Sequence, residues 1–99
     1  MTDIQCYKLS EEAESDISSL YDYTYDNFGL DQTIDYLQGL EQCLETILNN
    51  PDIGKQRAEI RDGLRSFLYE KHTIFYRIHS DYIRIVRVIN SNRDLPNLL

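Results

Sequence analysis

The chain has 99 residues, of which 41% are hydrophobic, and a net charge of −7. This length suits one domain, so we expect residues 1–99 to form a single unit around one core. No apolar run approaches the ~20 residues that a membrane-spanning helix needs, and the opening Met1-Thr2-Asp3 lacks a leader pattern. Two cysteines, Cys6 and Cys43, are too few for a disulfide framework and are expected to be reduced core thiols. A cytoplasmic protein is therefore expected.

Charge is divided unevenly between the two halves of the chain. Residues 1–50 hold eleven acidic residues and one basic residue, whereas residues 51–99 hold six acidic and nine basic residues. The first half therefore carries −10 and the second half +3. The overall acidity says little about the surface of the second half, but it argues against strong nonspecific binding of nucleic acid.

The first part of the chain predicts a short strand and then a helix. Residues 5–9 are a mixed segment that is expected to pair with a later sheet. Ser10 is the expected N-cap of the first helix, and Gly29 is its expected end. Tyrosines alternate from position 21 to position 25 and also fit a strand, but the longer period favours a helix. The expected buried face holds one polar residue, Thr24, among Ala13, Ile17, Leu20, Tyr21 and Phe28.

A second helix is expected to begin at an Asp31 cap and to end before Pro51. Its apolar stripe comprises Ile34, Leu37, Leu40, Leu44, Ile47 and Leu48. Since only Leu30 or so would separate the two helices, the sequence predicts an antiparallel helical hairpin.

The second half predicts an antiparallel β-meander. A turn block at residues 50–55 and a polar connector precede β-rich runs at residues 64–69, 72–79 and 82–89. Ser80-Asp81 suits a tight hairpin between the last two runs. Arg87 has the same strand parity as Ile83, Ile85 and Ile89, so it is expected on an apolar face, where it needs partners. The predicted class is α+β, with an N-terminal strand and helical hairpin packed on a C-terminal antiparallel meander.

Patterns that indicate catalysis are scarce. The sequence has no glycine-rich phosphate loop, no closely paired cysteines and no His-x-x-x-His. His72 and His79 are seven residues apart on one expected strand, and this odd spacing places them on opposite faces, where they cannot share a metal. No catalytic residue, cofactor or metal is therefore expected.

The arginines of the second half are the strongest functional signal. Guanidinium groups match both a phosphodiester and the carboxylates of a protein partner. The alternative is that these arginines are solvated or paired with acidic groups of the helices. An exposed sheet edge would also suit a partner that adds a strand or lays a helix in a groove. Four candidates for partner binding are expected on neighbouring strands and the loop after the last one: Arg65, Arg77, Arg87 and Arg93.

Several short motifs together resemble the ParE branch of the ParE/RelE toxin superfamily. They are Asn50-Pro51, Gly54, Glu59, Arg61, Gly63-Leu64-Arg65, His72, Ile74-Phe75-Tyr76-Arg77, Ile83, Ile85 and Arg87-Val88-Ile89. The resemblance spans nearly the whole chain and implies a RelE/ParE-like fold. It implies the toxin of a bacterial type II toxin–antitoxin module, which binds and poisons DNA gyrase without being an enzyme. It further implies neutralisation by a cognate ParD-like antitoxin, without a membrane or sequence-specific nucleic-acid binding.

Two alternatives stay open beside this reading. The RelE-like branch cleaves mRNA on the ribosome, and Arg65 and Arg93 would match two of its arginines. No tyrosine follows Arg93, and Lys55 is the remaining basic candidate in the connector, so a general acid and base are hard to assign.

The segment after Ile89 keeps Asp94 but lacks the His and Met of many ParE relatives. A non-toxic binding module with the same fold is therefore the other alternative.

Overall fold

A computed structural model describes residues 4–92 of the chain. The described elements confirm the predicted α+β class, with a helical hairpin laid on a sheet. A 3-10 turn at Pro51–Ile53 joins the helices to the strands of the second half. In chain order the elements are β1 (Cys6–Leu9), α1 (Glu11–Phe28), α2 (Leu30–Asn49), β2 (Lys55–Gln56), β3 (Leu64–Tyr69), β4 (His72–Ile78) and β5 (Tyr82–Asn90).

The strands form one sheet in the order β1-β5-β4-β3-β2. The pairs within the second half are antiparallel, as predicted, and β1 joins the sheet by pairing parallel to β5. β1 covers only the first half of β5, from Cys6 opposite Tyr82 to Leu9 opposite Ile85. The predicted tight turn between β4 and β5 is confirmed, because His79 N–H donates to the Tyr82 carbonyl at 2.9 Å.

Ser10 caps α1, as predicted, and also ties the helix to the sheet. Its Oγ accepts the Ala13 N–H at 2.9 Å and donates to the Val86 carbonyl at 2.7 Å. Acidic residues fill the first turn of α1, where the positive end of the helix dipole favours them. One hydroxyl therefore fixes both where α1 starts and where it meets β5.

The two helices meet at Gly29, and the predicted Asp31 cap is wrong. Gly29 has a φ of 85°, a left-handed value that glycine adopts readily, so the chain reverses within one residue. α2 consequently begins at Leu30, and Asp31 lies inside its first turn without a side-chain capping bond. Thr33 Oγ1 donates to the Gly29 carbonyl at 2.7 Å instead.

The helices pack on one face of the sheet, and only part of each predicted apolar stripe is buried. Tyr21, Phe28 and Ile34 are exposed, contrary to prediction, because the core covers the hairpin only where the sheet lies beneath it. Neither described helix is long and apolar enough to cross a membrane. The helix-facing core comprises Ala13, Leu20, Leu40, Leu44, Ile47, Ile74, Tyr76, Ile83, Ile85 and Val88.

A β-bulge reverses the alternation of β5 and corrects the predicted place of Arg87. Phe75 lies opposite Arg87 and Tyr76 lies opposite Ile85, so Val86 is the extra residue of β5. Ile83 and Ile85 therefore face the helices, whereas Ile89 packs on the other side of the sheet. Because of the extra residue, Arg87 does not share a face with Ile83 and Ile85.

The side of the sheet turned away from the helices, here called the outer face, has its own small cluster. Leu64, Phe75 and Ile89 are buried there, with Ile60 and Val86 packed against them. The Arg57 guanidinium lies 5.8 Å from the centre of the Phe75 ring. The outer face is thus apolar at its centre, with arginines around that centre.

Candidate partner-binding site

A cleft of about 560 Å³ opens beside the apolar cluster of the outer face. We call it the arginine cleft, because Arg61, Arg77, Arg84 and Arg87 line it. Its other lining residues come from the start of α1 and from the β4–β5 hairpin: Ser10, Glu12, His79 and Val86. The cleft brings together guanidinium groups from the connector, β4 and β5, which is an arrangement suited to anions.

Arg77 and Arg84 stand directly opposite each other on β4 and β5. Like charges in this position repel, so the pair opposes folding. Within residues 4–92, neither side chain has a hydrogen bond or an ion pair. Gly63, at a φ of 77°, lies beside Arg77, where an added Cβ would be 3.3 Å from Nη2. The glycine thus leaves space for a guanidinium that no described side chain holds.

Arg87 lines the same cleft but is held by an internal partner. Its Nε and Nη2 donate to the two carboxylate oxygens of Asp16 at 2.7 and 2.9 Å. Asp16 Oδ2 also accepts the Val88 N–H at 3.0 Å, on the half of β5 that β1 does not cover. The bond to Asp16 raises the pKa of Arg87. Arg87 thus forms an internal ion pair with an acidic helix, which was the alternative considered for these arginines.

Arg65 lies on the opposite, helix-facing side of the sheet, across from the fully buried Tyr76. Its Nη1 donates to the carbonyls of Gly54 and Asp52 at 2.8 and 3.3 Å, and Nη2 lies 3.4 Å from the Asp52 carboxylate. The Tyr76 hydroxyl accepts the Gly54 N–H and donates to the Pro51 carbonyl. Arg65 therefore secures the turn after α2 and does not join the arginine cleft.

The structure thus brings together two of the four predicted candidates. Arg77 and Arg87 share the cleft, Arg65 lies on the other face, and Arg93 is outside the described residues. Arg84 was missed, although it is as far after the Ser80-Asp81 turn as Arg77 is before it, a register that the hairpin prediction implies. Arg61 was also missed, because nothing local in the connector indicates which face of the sheet it approaches.

A second cleft of about 410 Å³ lies on the helix side and contains a tyrosine–histidine pair. The Tyr36 hydroxyl is 2.7 Å from His72 Nδ1. Burial raises the pKa of Tyr36 to about 12 and lowers the pKa of His72. A protonated hydroxyl therefore shares a hydrogen bond with a neutral imidazole. His79 lines the arginine cleft on the other side of the sheet, as the odd spacing of the histidines predicted.

Neither cysteine is bridged, and the prediction of two core thiols is wrong for one of them. Cys6 is exposed on the edge strand β1, because only alternate residues of that strand turn towards the core. Cys43 packs against the helix-facing core, and burial raises the pKa of its thiol.

Across residues 4–92, no group of three or more His, Cys, Asp or Glu side chains could hold a metal ion.

Solved structures with the same arrangement of helices and strands come from bacterial toxin–antitoxin modules. A chain of the chromosomal ParDE toxin–antitoxin system from P. aeruginosa superposes with a TM-score of 0.76 at 17% identity, covering 89% of this chain and 96% of its own. A chain of the E. coli DinJ-YafQ toxin–antitoxin complex gives a TM-score of 0.52 at 13% identity, over 91% and 94% of the two chains. These similarities define the class of fold.

Sequence comparison identifies the family. Residues 7–95 match the family described as ParE toxin of type II toxin–antitoxin system, parDE, and the chain belongs to that family. Toxin ParE1 of Mycobacterium tuberculosis is 37% identical over 94% of this chain and 96% of its own length. Toxin ParE1 of Caulobacter vibrioides is 29% identical over 87% and 88% of the two chains. The resemblance seen in the motifs is thereby confirmed.

Proposed function

We propose that the chain is the toxin of a type II module that a cognate ParD-like antitoxin neutralises. The family match over residues 7–95 is the observation that carries this proposal. The P. aeruginosa structure that shares the fold belongs to a ParDE system, in keeping with an antitoxin partner. The cleft that contains Arg77 and Arg84 is the surface that we assign to macromolecular contact. We propose that the protein acts in the cytoplasm as a single domain.

We further propose that the toxin binds and poisons DNA gyrase and makes or breaks no covalent bond itself. The family suggests this target. The chemistry of the arginine cleft supports a binding role, because guanidinium groups do not titrate near neutral pH and are poor proton carriers. The Tyr36–His72 pair, which could transfer protons, is on the other side of the sheet from Arg77 and Arg84.

Induction of the chain in a bacterium, alone and together with the adjacent reading frame, tests the module. Expression alone should arrest growth, and co-expression with the neighbour should restore it. A chain truncated before α2 is the matched control, because it cannot form the helix-facing core. No arrest, or an arrest that the neighbour does not relieve, would contradict the proposal.

A supercoiling assay with purified gyrase tests the target. The wild-type chain should inhibit supercoiling or trap gyrase on cleaved DNA, and prior mixing with the antitoxin should abolish the effect. An arrest in cells without any effect on purified gyrase would show that the toxin has another target.

One observation favours the endoribonuclease alternative, namely that His79 and Glu12 line the arginine cleft. A histidine and a carboxylate can transfer protons, and arginines beside them can stabilise the negative charge that develops on an attacked phosphodiester. His79→Ala separates the two functions. A nuclease should cut cellular mRNA when the wild-type chain is induced and should lose those cuts on His79→Ala. A gyrase poison should arrest growth without any such cuts.

A further inference from the structure

The strongest unassigned feature of the molecule is the pair of arginines, Arg77 and Arg84, that face each other on the outer face of the sheet. The chain has 17 acidic residues, yet neither arginine is paired with any acidic group of residues 4–92. Other arginines of the second half do find such partners: Arg57 binds Glu59, Arg65 binds Asp52 and Arg87 binds Asp16. The repulsion between Arg77 and Arg84 is thus left uncompensated within the described fold.

We propose that Arg77 and Arg84 form a receptor for carboxylate side chains of an acidic protein segment, which on the proposed function belongs to the antitoxin. The inference rests on that function for the identity of the partner. Two arginines at directly opposed positions of neighbouring strands offer several N–H donors, and carboxylates accept from a guanidinium group in bidentate fashion. An incoming carboxylate would also remove the repulsion between the two arginines, so binding relieves a strain that the free chain carries.

The charge of the whole chain favours an acidic protein segment over a nucleic acid. At a net charge of −7, with Glu11, Glu12 and Glu14 in the first turn of α1, the surroundings of the cleft repel an extended polyanion. A short peptide with one or two carboxylates meets far less of this repulsion. Val86 adds an apolar wall to the cleft, which suits the aliphatic stem of Glu or a neighbouring apolar side chain. Arg61 and Arg87 have other interactions, so the proposal depends on Arg77 and Arg84 alone.

The test measures binding of the full-length toxin to the antitoxin encoded by the adjacent reading frame. The variants are Arg77→Gln and Arg84→Gln, and the matched control is Lys71→Gln. Lys71 is an exposed basic residue in the β3–β4 turn, at the opposite end of β4 from Arg77, so its substitution removes the same charge away from the cleft. Fluorescence anisotropy with labelled antitoxin gives the Kd, and melting curves establish that each variant is folded.

Each cleft variant should weaken binding about tenfold, and its Kd should depend less steeply on salt, whereas Lys71→Gln should change the Kd by less than about twofold. Arg84→Lys should recover only part of the loss, because an ammonium group lacks the guanidinium fork. Replacing the acidic residues of the antitoxin segment that binds the cleft by their amides should make its binding insensitive to Arg84→Gln.

The possible failures are distinguishable. If the wild-type toxin does not bind the antitoxin, the proposed function and this inference fall together. If the wild type binds and the cleft variants bind as tightly as Lys71→Gln, only this inference is overturned. It is also overturned if a labelled single-stranded oligonucleotide binds the wild type in an Arg84-dependent way while the antitoxin does not compete, because the cleft would then be a phosphate site.

Discussion

The two faces of the sheet use arginine differently. On the helix-facing side, Arg65 donates to two carbonyls of the turn after α2 and lies beside a fully buried tyrosine. On the outer face, Arg77 and Arg84 stand opposite each other without a partner in the described part of the chain. The first arrangement stabilises the fold, and the second lowers stability. The difference indicates that substitutions on the helix-facing side should change stability, whereas substitutions in the arginine cleft should change binding.

Gly54→Ala should have the largest effect on stability. The backbone of Gly54 has φ −73° and ψ 147°, which alanine tolerates, but its Cβ would lie 2.4 Å from the Tyr76 hydroxyl and 2.7 Å from the ring. Because Tyr76 is fully buried, the clash must displace the turn and break its hydrogen bonds. We expect a loss of about 3 kcal/mol, or a melting temperature lower by roughly 12–24 °C.

Tyr76→Phe tests the cause of that loss. On its own it should destabilise by about 1–2 kcal/mol, because it leaves the buried Gly54 N–H without its acceptor. Added to Gly54→Ala it should reduce the clash, so the double variant should be less destabilised than the sum of the two. Simple additivity would mean that the hydroxyl is not what excludes a side chain at residue 54.

Asp16→Ala should have the next largest effect on stability. It tests whether Arg87 serves mainly the internal ion pair with Asp16 or is available for contact with a partner. The substitution leaves a partly buried guanidinium and the Val88 N–H without their acceptor. We expect a loss of about 2–3 kcal/mol by chemical denaturation, against less than about 0.5 kcal/mol for Asp22→Ala, an exposed residue of the same helix. A double-mutant cycle with Arg87→Ala should give coupling above about 1.5 kcal/mol. Weak coupling would return Arg87 to the candidates for partner contact.

Arg87 also shows where sequence reasoning succeeded and where it failed. Helix and strand periods predicted the elements, the hairpin of helices and the meander, because those patterns repeat over many residues. Strand parity placed Arg87 wrongly, because one extra residue at Val86 reverses every later side chain of β5. A bulge has no reliable local signature here. The position of Arg87 therefore depended on a register that only the paired strands reveal.

Arg84 and Asp31 illustrate two other limits. The opposition of Arg77 and Arg84 follows from the tight turn and was available to sequence reasoning, but the unfavourable pairing of like charges drew no attention to it. At Asp31, capping chemistry predicted a start that the conformation of Gly29 made unnecessary. Whether Arg65 is paired, in contrast, depends on how the turn after α2 packs against β3, which no local pattern encodes.

A pH titration should show that His72, on the helix-facing side of the sheet, makes the stability of the fold depend on pH. Burial lowers the pKa of His72 below its ordinary value of about 6.5, so the folded state binds fewer protons than the unfolded state. Above pH ~6.5 His72 is neutral in both the folded and the unfolded state, so it costs no stability. As the pH falls towards the lowered pKa, the unfolded state binds the proton more readily and the free energy of unfolding decreases. The melting temperature should therefore fall between pH 7.5 and 5.5. His72→Gln should remove this slope and His79→Gln should keep it; the reverse result would assign the slope to the cleft.

The smallest expected effect is the most direct test of the difference between the two faces. Arg84→Gln should raise stability slightly, by about 0.5 kcal/mol, because it removes the repulsion with Arg77. Removing a positive charge from a chain of net charge −7 also adds a general destabilising effect, which Lys71→Gln shares. The difference in unfolding free energy between the two variants therefore isolates the arginine pair.

That difference should shrink between low salt and about 1 M salt, since screening weakens the repulsion between exposed charges. Arg65→Gln is the counterpart on the helix-facing side, and it should lower stability at every salt concentration because it removes hydrogen bonds to carbonyls. If Arg84→Gln were instead as destabilising as Arg65→Gln, Arg84 would have a stabilising partner in the free toxin. The two faces would then use arginine in the same way, and the arginine pair would no longer indicate that the cleft binds a carboxylate of another protein.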